Sequence, residues 1–553
     1  MLGRTAGYAW MCLLAVSLLV SAGICYHECD GVQEDAIGCD AFGYLMMAKE
    51  IRQAAANREP PNFQIESPQI RLLIDLMRSR NVPPYLWNEM VAPHAHHYFP
   101  RTDKVGVQYP PGAGMALAVF REGEALYRLN VVAIGLMVAV GIIGLMIAAP
   151  RRAWISAGCI VLALEMGLEI LGRIGGLSYS INAVLGPLLL SMVMTFAVLA
   201  LEADARTERA APLTALLAGV FLGLGVLTRL SVILLAPGVV VLLTSAPWRK
   251  SIVRRILPFA IGLAVVGILP ILAEQSQIAG AWYLPTYSVA DARPPSFAPV
   301  LRNLYYYLGG GPGSEDNPLL VILVIGFAGP MFDRRLRNSG RLSASHLGLS
   351  VAVLWSLPTI FFLTHEIAIP YYAVPAIFAA ALMIALGILL MELFPASGEV
   401  SSEVKRWRRR AGAIALIPGL IAINNIRALA AFSWTPGGQH SYDLQIPAEL
   451  SDEHNWIWAD LMSGSFRYYA NKTAFKVSFS DSGTRELVYK FVFDRGERQY
   501  LVLDSPIMSE ILDEMTRMGA APQPRGSIGD ATYFLIRWPA GGPHPMVASP
   551  QPR

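Results

Sequence analysis

Apolar runs separated by polar linkers set the rhythm of the chain. They fall at residues 8–24, 129–149, 153–171, 182–201, 213–227, 230–243, 256–272, 319–331, 347–363, 371–393 and 413–426. Such runs must be helical in lipid, because the bilayer core offers backbone N–H and C=O groups no other partner. A perpendicular crossing takes about 20 residues, so the shorter runs need their polar flanks to enter the membrane. The pattern predicts an α-helical polytopic membrane protein with about 11 transmembrane helices. Beyond residue 426 the periodicity changes. Segments 456–461, 473–479, 499–503 and 531–538 read as strands, alternating with helical patterns at 463–470, 484–493 and 505–518. That alternation predicts a small α/β domain on a mostly parallel sheet. The expected organisation is a transmembrane domain at 1–431, a soluble α/β domain at 432–539 and a disordered, Pro- and Gly-rich tail at 540–553.

Composition sharpens this picture. Residues are 54% hydrophobic and 15% charged, where a soluble protein carries nearer a quarter charged. A net charge of +3 is too small to suggest a nucleic-acid partner. The cations are unevenly placed: Arg151 and Arg152, Arg206 and Arg209, the 249–255 cluster, the 334–341 cluster and the 405–410 cluster fall in alternate linkers. By the positive-inside rule these linkers and the N-terminus are cytoplasmic. The loops 25–128 and 273–318, and everything after residue 426, then lie outside, as expected of a multi-pass protein of a bacterial inner membrane. The apolar N-terminal run resembles a secretory signal, but in so polytopic a chain it reads as an uncleaved first helix.

The first outer loop is too long to be a connector. Residues 40–56 have a helical pattern with Tyr44, Leu45, Ala48 and Ile51 on one face. A second helix is expected at 69–80, ended by Pro83-Pro84. The runs Pro93-His94-Ala95-His96-His97 and Tyr109-Pro110-Pro111-Gly112 follow, the latter feeding a short interfacial or re-entrant helix. If the outer side is oxidising, one pair among Cys25, Cys29 and Cys39 closes a disulfide, with Cys29–Cys39 the expected one.

Four stretches carry a family resemblance. They are Asp40-x-x-x-Tyr44-x-x-x-Ala48 after the first span, Tyr109-Pro110-Pro111-Gly112, the hairpin from Gly223 through Arg229 to Pro237, and Tyr371-Tyr372-Ala-Val-Pro375. In their order and common side they resemble the GT-C superfamily of polyprenyl-phosphate-sugar-dependent membrane glycosyltransferases, particularly bacterial relatives of protein mannosyltransferases and the lipid A aminoarabinose transferase. The resemblance covers roughly residues 1–393. The first motif has one acid where many relatives have Asp-Glu, and Tyr371 stands where Arg is common.

The resemblance implies transfer of a sugar from a polyprenyl-phosphate-linked donor to a hydroxyl of a lipid, glycan or protein acceptor, with inversion. That reaction needs a general base for the hydroxyl and cations or donors for the leaving phosphate. Asp40 is the expected base, with a helix cap as its alternative role; Asp30 and Asp35 are the alternate acids. Arg229, interrupting an apolar hairpin, is the first candidate for the donor phosphate, followed by Arg293, Arg302 and Lys104. Tyr44, His94, His96, His97, Tyr109, Glu165, Glu169, Tyr371 and Tyr372 are the expected walls of the substrate cavity. The three histidines read as a polar turn or substrate wall in preference to a metal site; no cofactor is assigned and a divalent cation stays open. Glu165 and Glu169 either face that cavity or pair with Arg173 by helical spacing. Two rivals remain: a lipid or sugar transporter, which predicts broken helices and an inverted repeat, and a membrane-anchored envelope assembly protein working through its soluble tail.

Overall fold

The structure is a computed structural model that describes residues 4–30, 34–151, 154–175, 210–244, 251–287, 297–307, 344–365 and 444–544, with isolated positions between 189 and 200. The chain divides into two compact units. The predicted spans at 319–331, 371–393 and 413–426, and the tail beyond residue 544, lie outside the described residues.

The first unit gathers residues 1–32, 126–271 and 294–440 and is helical throughout its described parts. Among the described residues, four helices are long and apolar enough to cross a membrane: Gly7–Cys29, Ala125–Met146, Ala211–Thr228 and Ile252–Ile278. The chain is therefore a membrane protein by the length and apolarity of its helices. The Ala211–Thr228 and Ile252–Ile278 helices meet backbone to backbone. A Cβ on Gly219 would stand 2.0 Å from the Phe259 carbonyl oxygen, and one on Gly262 would stand 2.4 Å from that of Leu216. Small residues at helical spacing let helices approach this closely in lipid, where packing drives association. The predicted 230–243 span is shorter and less regular than a crossing. A 3-10 turn at Leu230–Leu235 leads into an α-helix at Ala236–Leu243, because Pro237 at the start of the second segment cannot donate to the turn before it.

The second unit gathers residues 33–125, 272–293 and 441–553. The two predicted loop helices form at Cys39–Asn57 and Pro68–Ser79. Ser67 caps the second by accepting from Ile70 N–H, with Pro68 at its first position. The histidine run enters a hairpin that the pattern did not announce: β1 (His96–Phe99) pairs antiparallel with β2 (Lys104–Val107). The Pro-Pro-Gly turn then opens a short helix at Gly112–Ala118, packed on Cys39–Asn57 at Gly114, whose added Cβ would meet Met47 Cβ at 2.5 Å.

The C-terminal segment builds a four-stranded sheet in the order β3-β4-β6-β5, with β3 at Trp456–Trp458, β4 at Gln499–Leu503, β5 at Ala521–Ile528 and β6 at Ala531–Arg537. Only β3 and β4 are parallel; β4–β6 and β5–β6 are antiparallel, so the expectation of a mostly parallel sheet is corrected. The cause is a tight hairpin through Gly529, at φ 55, which returns the chain directly instead of by a crossover helix. Residues 473–479 do not form a strand. Phe475 makes one bridge to Trp458, and Val477–Phe479 is a 3-10 turn. The three predicted helices are present at Ser463–Ala470, Ser482–Asp494 and Pro506–Arg517.

Within this unit Ser463–Ala470 packs directly on Cys39–Asn57. Phe42 is fully buried, and Gly464 lies so close that a Cβ would stand 2.3 Å from Phe42 Cγ. Ser465 Oγ donates to the Ala36 carbonyl at 3.0 Å, and Ala36 N–H donates to Tyr469 Oη at 3.2 Å. Burial of Phe42 alone contributes about 2 kcal/mol.

Candidate active site

Asp40 sits in the first turn of Cys39–Asn57, half-buried. It does not cap the helix: the N-cap is Gly38 at φ 84, a left-handed conformation suited to glycine, with no side-chain cap bond. The alternative role is thereby corrected. Position in the first turn still places the carboxylate at the positive end of the helix dipole, which favours negative charge.

The Tyr109 hydroxyl donates to Asp40 Oδ1 at 2.5 Å and lies 3.0 Å from Cys39 Sγ. Burial, and then the charge of Asp40, push this phenol well above its usual range, so it keeps its proton at any physiological pH. The Tyr109 ring is held between Tyr44, with centroids 5.1 Å apart, and Tyr287, 5.8 Å away. Gly43, one helical turn after Asp40, allows this approach: a Cβ there would stand 2.7 Å from both Tyr109 Cδ2 and Ala95 Cβ. Gln108 Nε2 donates to Cys39 Sγ at 3.2 Å, and Thr286 Oγ1 donates to the Gln108 carbonyl at 2.8 Å. Burial pushes the Cys39 thiol up to about 11. The expected Cys29–Cys39 disulfide is not formed; Cys12, Cys25, Cys29 and Cys39 are free thiols.

The three histidines do not converge. His97 Nε2 faces Gln108 Oε1, His96 Nδ1 meets the His94 carbonyl at 3.1 Å, and His94 Nε2 lies 3.4 Å from Asp460 Oδ1. Among the described residues no group of three His, Cys, Asp or Glu could hold a metal ion. Burial takes the His96 and His97 imidazoles down to about 3 and lowers His94 against the opposing pull of Asp460. All three are therefore neutral at physiological pH.

One charged group in this unit escaped the sequence reading. Lys476 is 1% exposed, its ammonium 4.6 Å above the Phe479 ring, and its charge disfavours protonation of His94, His96 and His97 while favouring the Cys39 thiolate. Nearby, Asp460 accepts from Ser505 Oγ at 2.8 Å. Asp504 accepts the backbone N–H groups of Asp460 and Met462, while burial raises its carboxyl to about 7. These two acids follow the carboxyl ends of the parallel strands β3 and β4.

The other expected site residues are scattered. Tyr44 is buried against Tyr109. Lys104 Nζ donates to the Gln277 carbonyl at 3.2 Å. Asp35 accepts from the Ile37 N–H at 3.3 Å. In the first unit, Arg229 is half-buried at an extended break (φ −153, ψ 121) just after the Ala211–Thr228 helix. Arg302 is exposed, with Nε 3.3 Å from Asn303 Oδ1. Glu165 is buried and accepts from Ser17 Oγ of the first helix. The side chains of Asp30, Glu169 and Arg173, and residues Arg293, Tyr371 and Tyr372, lie outside the described residues.

No family model matches the chain, and no curated protein sequence matches it. Among solved structures it is similar to apo ArnT from Cupriavidus metallidurans, at 13% identity and a TM-score of 0.49 over 96% of this chain and 98% of that one. The same enzyme bound to undecaprenyl phosphate gives 14% identity and a TM-score of 0.49 over 94% and 97%. The archaeal oligosaccharyltransferase AglB from Archaeoglobus fulgidus, in complex with an inhibitory peptide and a dolichol-phosphate, gives 10% identity and a TM-score of 0.40 over 90% and 69%.

Proposed function

We propose that the protein is an integral-membrane glycosyltransferase of the GT-C type, moving a sugar from a polyprenyl-phosphate carrier to an acceptor hydroxyl outside a bacterial inner membrane. The observation that carries this reading is Asp40: a half-buried carboxylate in the first turn of the first-loop helix, in the Asp-x-x-x-Tyr-x-x-x-Ala context, held by a buried phenol. A carboxylate so held is placed to act as a general base. The acceptor hydroxyl gives its proton to Asp40 as its oxygen bonds to the anomeric carbon. The bond from that carbon to the carrier phosphate breaks, and the phosphate leaves with the electron pair. Direct displacement inverts the anomeric centre.

Arg229 is the proposed partner of the donor phosphate, a cation at the extended break between two apolar helical segments. Arg293, Arg302, Lys104, Tyr371 and Tyr372 are secondary candidates around donor and acceptor.

The test is transfer from a labelled polyprenyl-phosphate sugar in membranes supplied with lipid extract. Asp40→Asn should abolish transfer while leaving expression and membrane insertion unchanged. A fully active variant excludes Asp40 as the base. Wild-type membranes that move the lipid-linked sugar across the bilayer without transferring it favour the transporter reading.

A further inference from the structure

Five side chains in the second unit form a hydrogen-bond chain whose donors all point one way. His97 Nε2 meets Gln108 Oε1. An amide oxygen only accepts, so the imidazole proton is on Nε2. The Gln108 amide nitrogen then faces Cys39 Sγ at 3.2 Å and donates to it. Tyr109 has a single hydroxyl proton and two neighbours, Cys39 Sγ at 3.0 Å and Asp40 Oδ1 at 2.5 Å. The carboxylate is acceptor-only and much the stronger acceptor, so that proton is on the Asp40 side. The Tyr109–Cys39 contact is completed by the thiol, which donates to the phenol oxygen. Each link in the series has one donor and one acceptor, and the series ends on one oxygen of the carboxylate.

We propose that Tyr109 is the positioning residue of Asp40, its proton directed onto the carboxylate by the series His97, Gln108 and Cys39. The inference rests on the reading of Asp40 as the base. Two further features of the geometry support it. The phenol is buried between Tyr44 and Tyr287, so its oxygen cannot swing away from Asp40. The chain segment that carries it is fixed independently of Asp40, by Gln108 N–H to the Ala95 carbonyl at 2.8 Å and Thr286 Oγ1 to the Gln108 carbonyl at 2.8 Å. A donor anchored in this way fixes the plane of the carboxyl group, which a flexible acid at the edge of a loop would otherwise have to find at each turnover.

The experiment is steady-state transfer by the full-length protein in proteoliposomes, with Tyr109→Phe, Cys39→Ser and Cys39→Ala beside Asp40→Asn. Tyr109→Phe keeps the ring in its stack and removes only the donor. A hydrogen bond to a charged partner corresponds to roughly tenfold to a hundredfold. Tyr109→Phe should therefore lower kcat by about that factor with KM within about twofold. Cys39→Ser keeps a donor to the phenol and should lose less kcat than Cys39→Ala, which should lose several-fold. Unchanged kcat in Tyr109→Phe, a loss confined to KM, or equal kcat in the two Cys39 variants overturns the assignment. An active Asp40→Asn overturns the reading beneath it instead, so the two failures are told apart.

Discussion

Gly43→Ala sets two opposed effects against each other at the candidate site. In the interior of the Cys39–Asn57 helix, alanine is worth about 1 kcal/mol over glycine in intrinsic propensity. Against this, the new Cβ would stand 2.7 Å from Ala95 Cβ, 2.7 Å from Tyr109 Cδ2 and 2.9 Å from Tyr109 Cε2, so at least two groups must move by several tenths of an ångström. Neither moves easily. Ala95 is fully buried with φ 63, and its carbonyl accepts from Gln108 N–H. The Tyr109 ring is boxed by Tyr44 and Tyr287. Overpacking of this kind costs about 1–3 kcal/mol, so the net expectation is a loss of up to about 2 kcal/mol where propensity alone would give a gain. The displaced group is the one that holds Asp40, so transfer should fall by more than the stability change accounts for. The assay is thermal denaturation of the purified protein in detergent, paired with transfer in proteoliposomes. Gly135→Ala is the control, since its Cβ would meet nothing within 4 Å. A Gly43→Ala protein with a raised or unchanged midpoint and full activity would refute the reasoning, as would equal damage from the control.

Acid should loosen the second unit. His96 and His97 sit near 3 when folded and near 6.5 when unfolded, so the unfolded chain takes up protons that the folded one refuses. Their contribution is intact above about pH 6.5 and falls as pH drops toward 3, at up to about 2.7 kcal/mol per pH unit for the pair. Proteolysis of the first loop should accelerate below pH 6, less steeply in His97→Gln; a flat profile in the wild type counts against buried neutral imidazoles. In the C-terminal segment Arg485 and Glu514 form a paired contact, Nε–Oε1 at 2.9 Å and Nη2–Oε2 at 2.6 Å, with side chains 13% and 8% exposed. Glu514→Gln removes the charge opposite the buried guanidinium and should cost about 3 kcal/mol, read as a lower urea midpoint for cleavage within that segment; an unchanged midpoint contradicts it.

What the pattern of residues made legible is what amphipathic periodicity encodes. The loop helices at Cys39–Asn57 and Pro68–Ser79 and the three C-terminal helices start and stop within two residues of expectation, because one face of each is polar. The hairpin β1–β2 gave no such signal. Nearly every residue of its two strands is buried, so the alternation that betrays a half-exposed strand is absent. β5 was hidden by Pro522 and Pro524, which a central strand would not tolerate. It is the edge strand of its sheet, where a missing N–H goes unmissed.

The candidate site divides along the same line. Asp40, Tyr44 and Tyr109 could be singled out because their neighbours in sequence form recognisable motifs. Cys39, Gln108 and Lys476 could not be given their roles at this site, because each also depends on groups remote in the chain. Gln108 donates to a sulfur 69 positions earlier, and Lys476 lies in what looked like an apolar strand until Val477–Phe479 turned out of the sheet. A motif marks the residue that would touch substrate; the groups that hold it are chosen by the fold. For this chain that places the test of mechanism on Tyr109 and Cys39, whose substitution perturbs Asp40 without removing it.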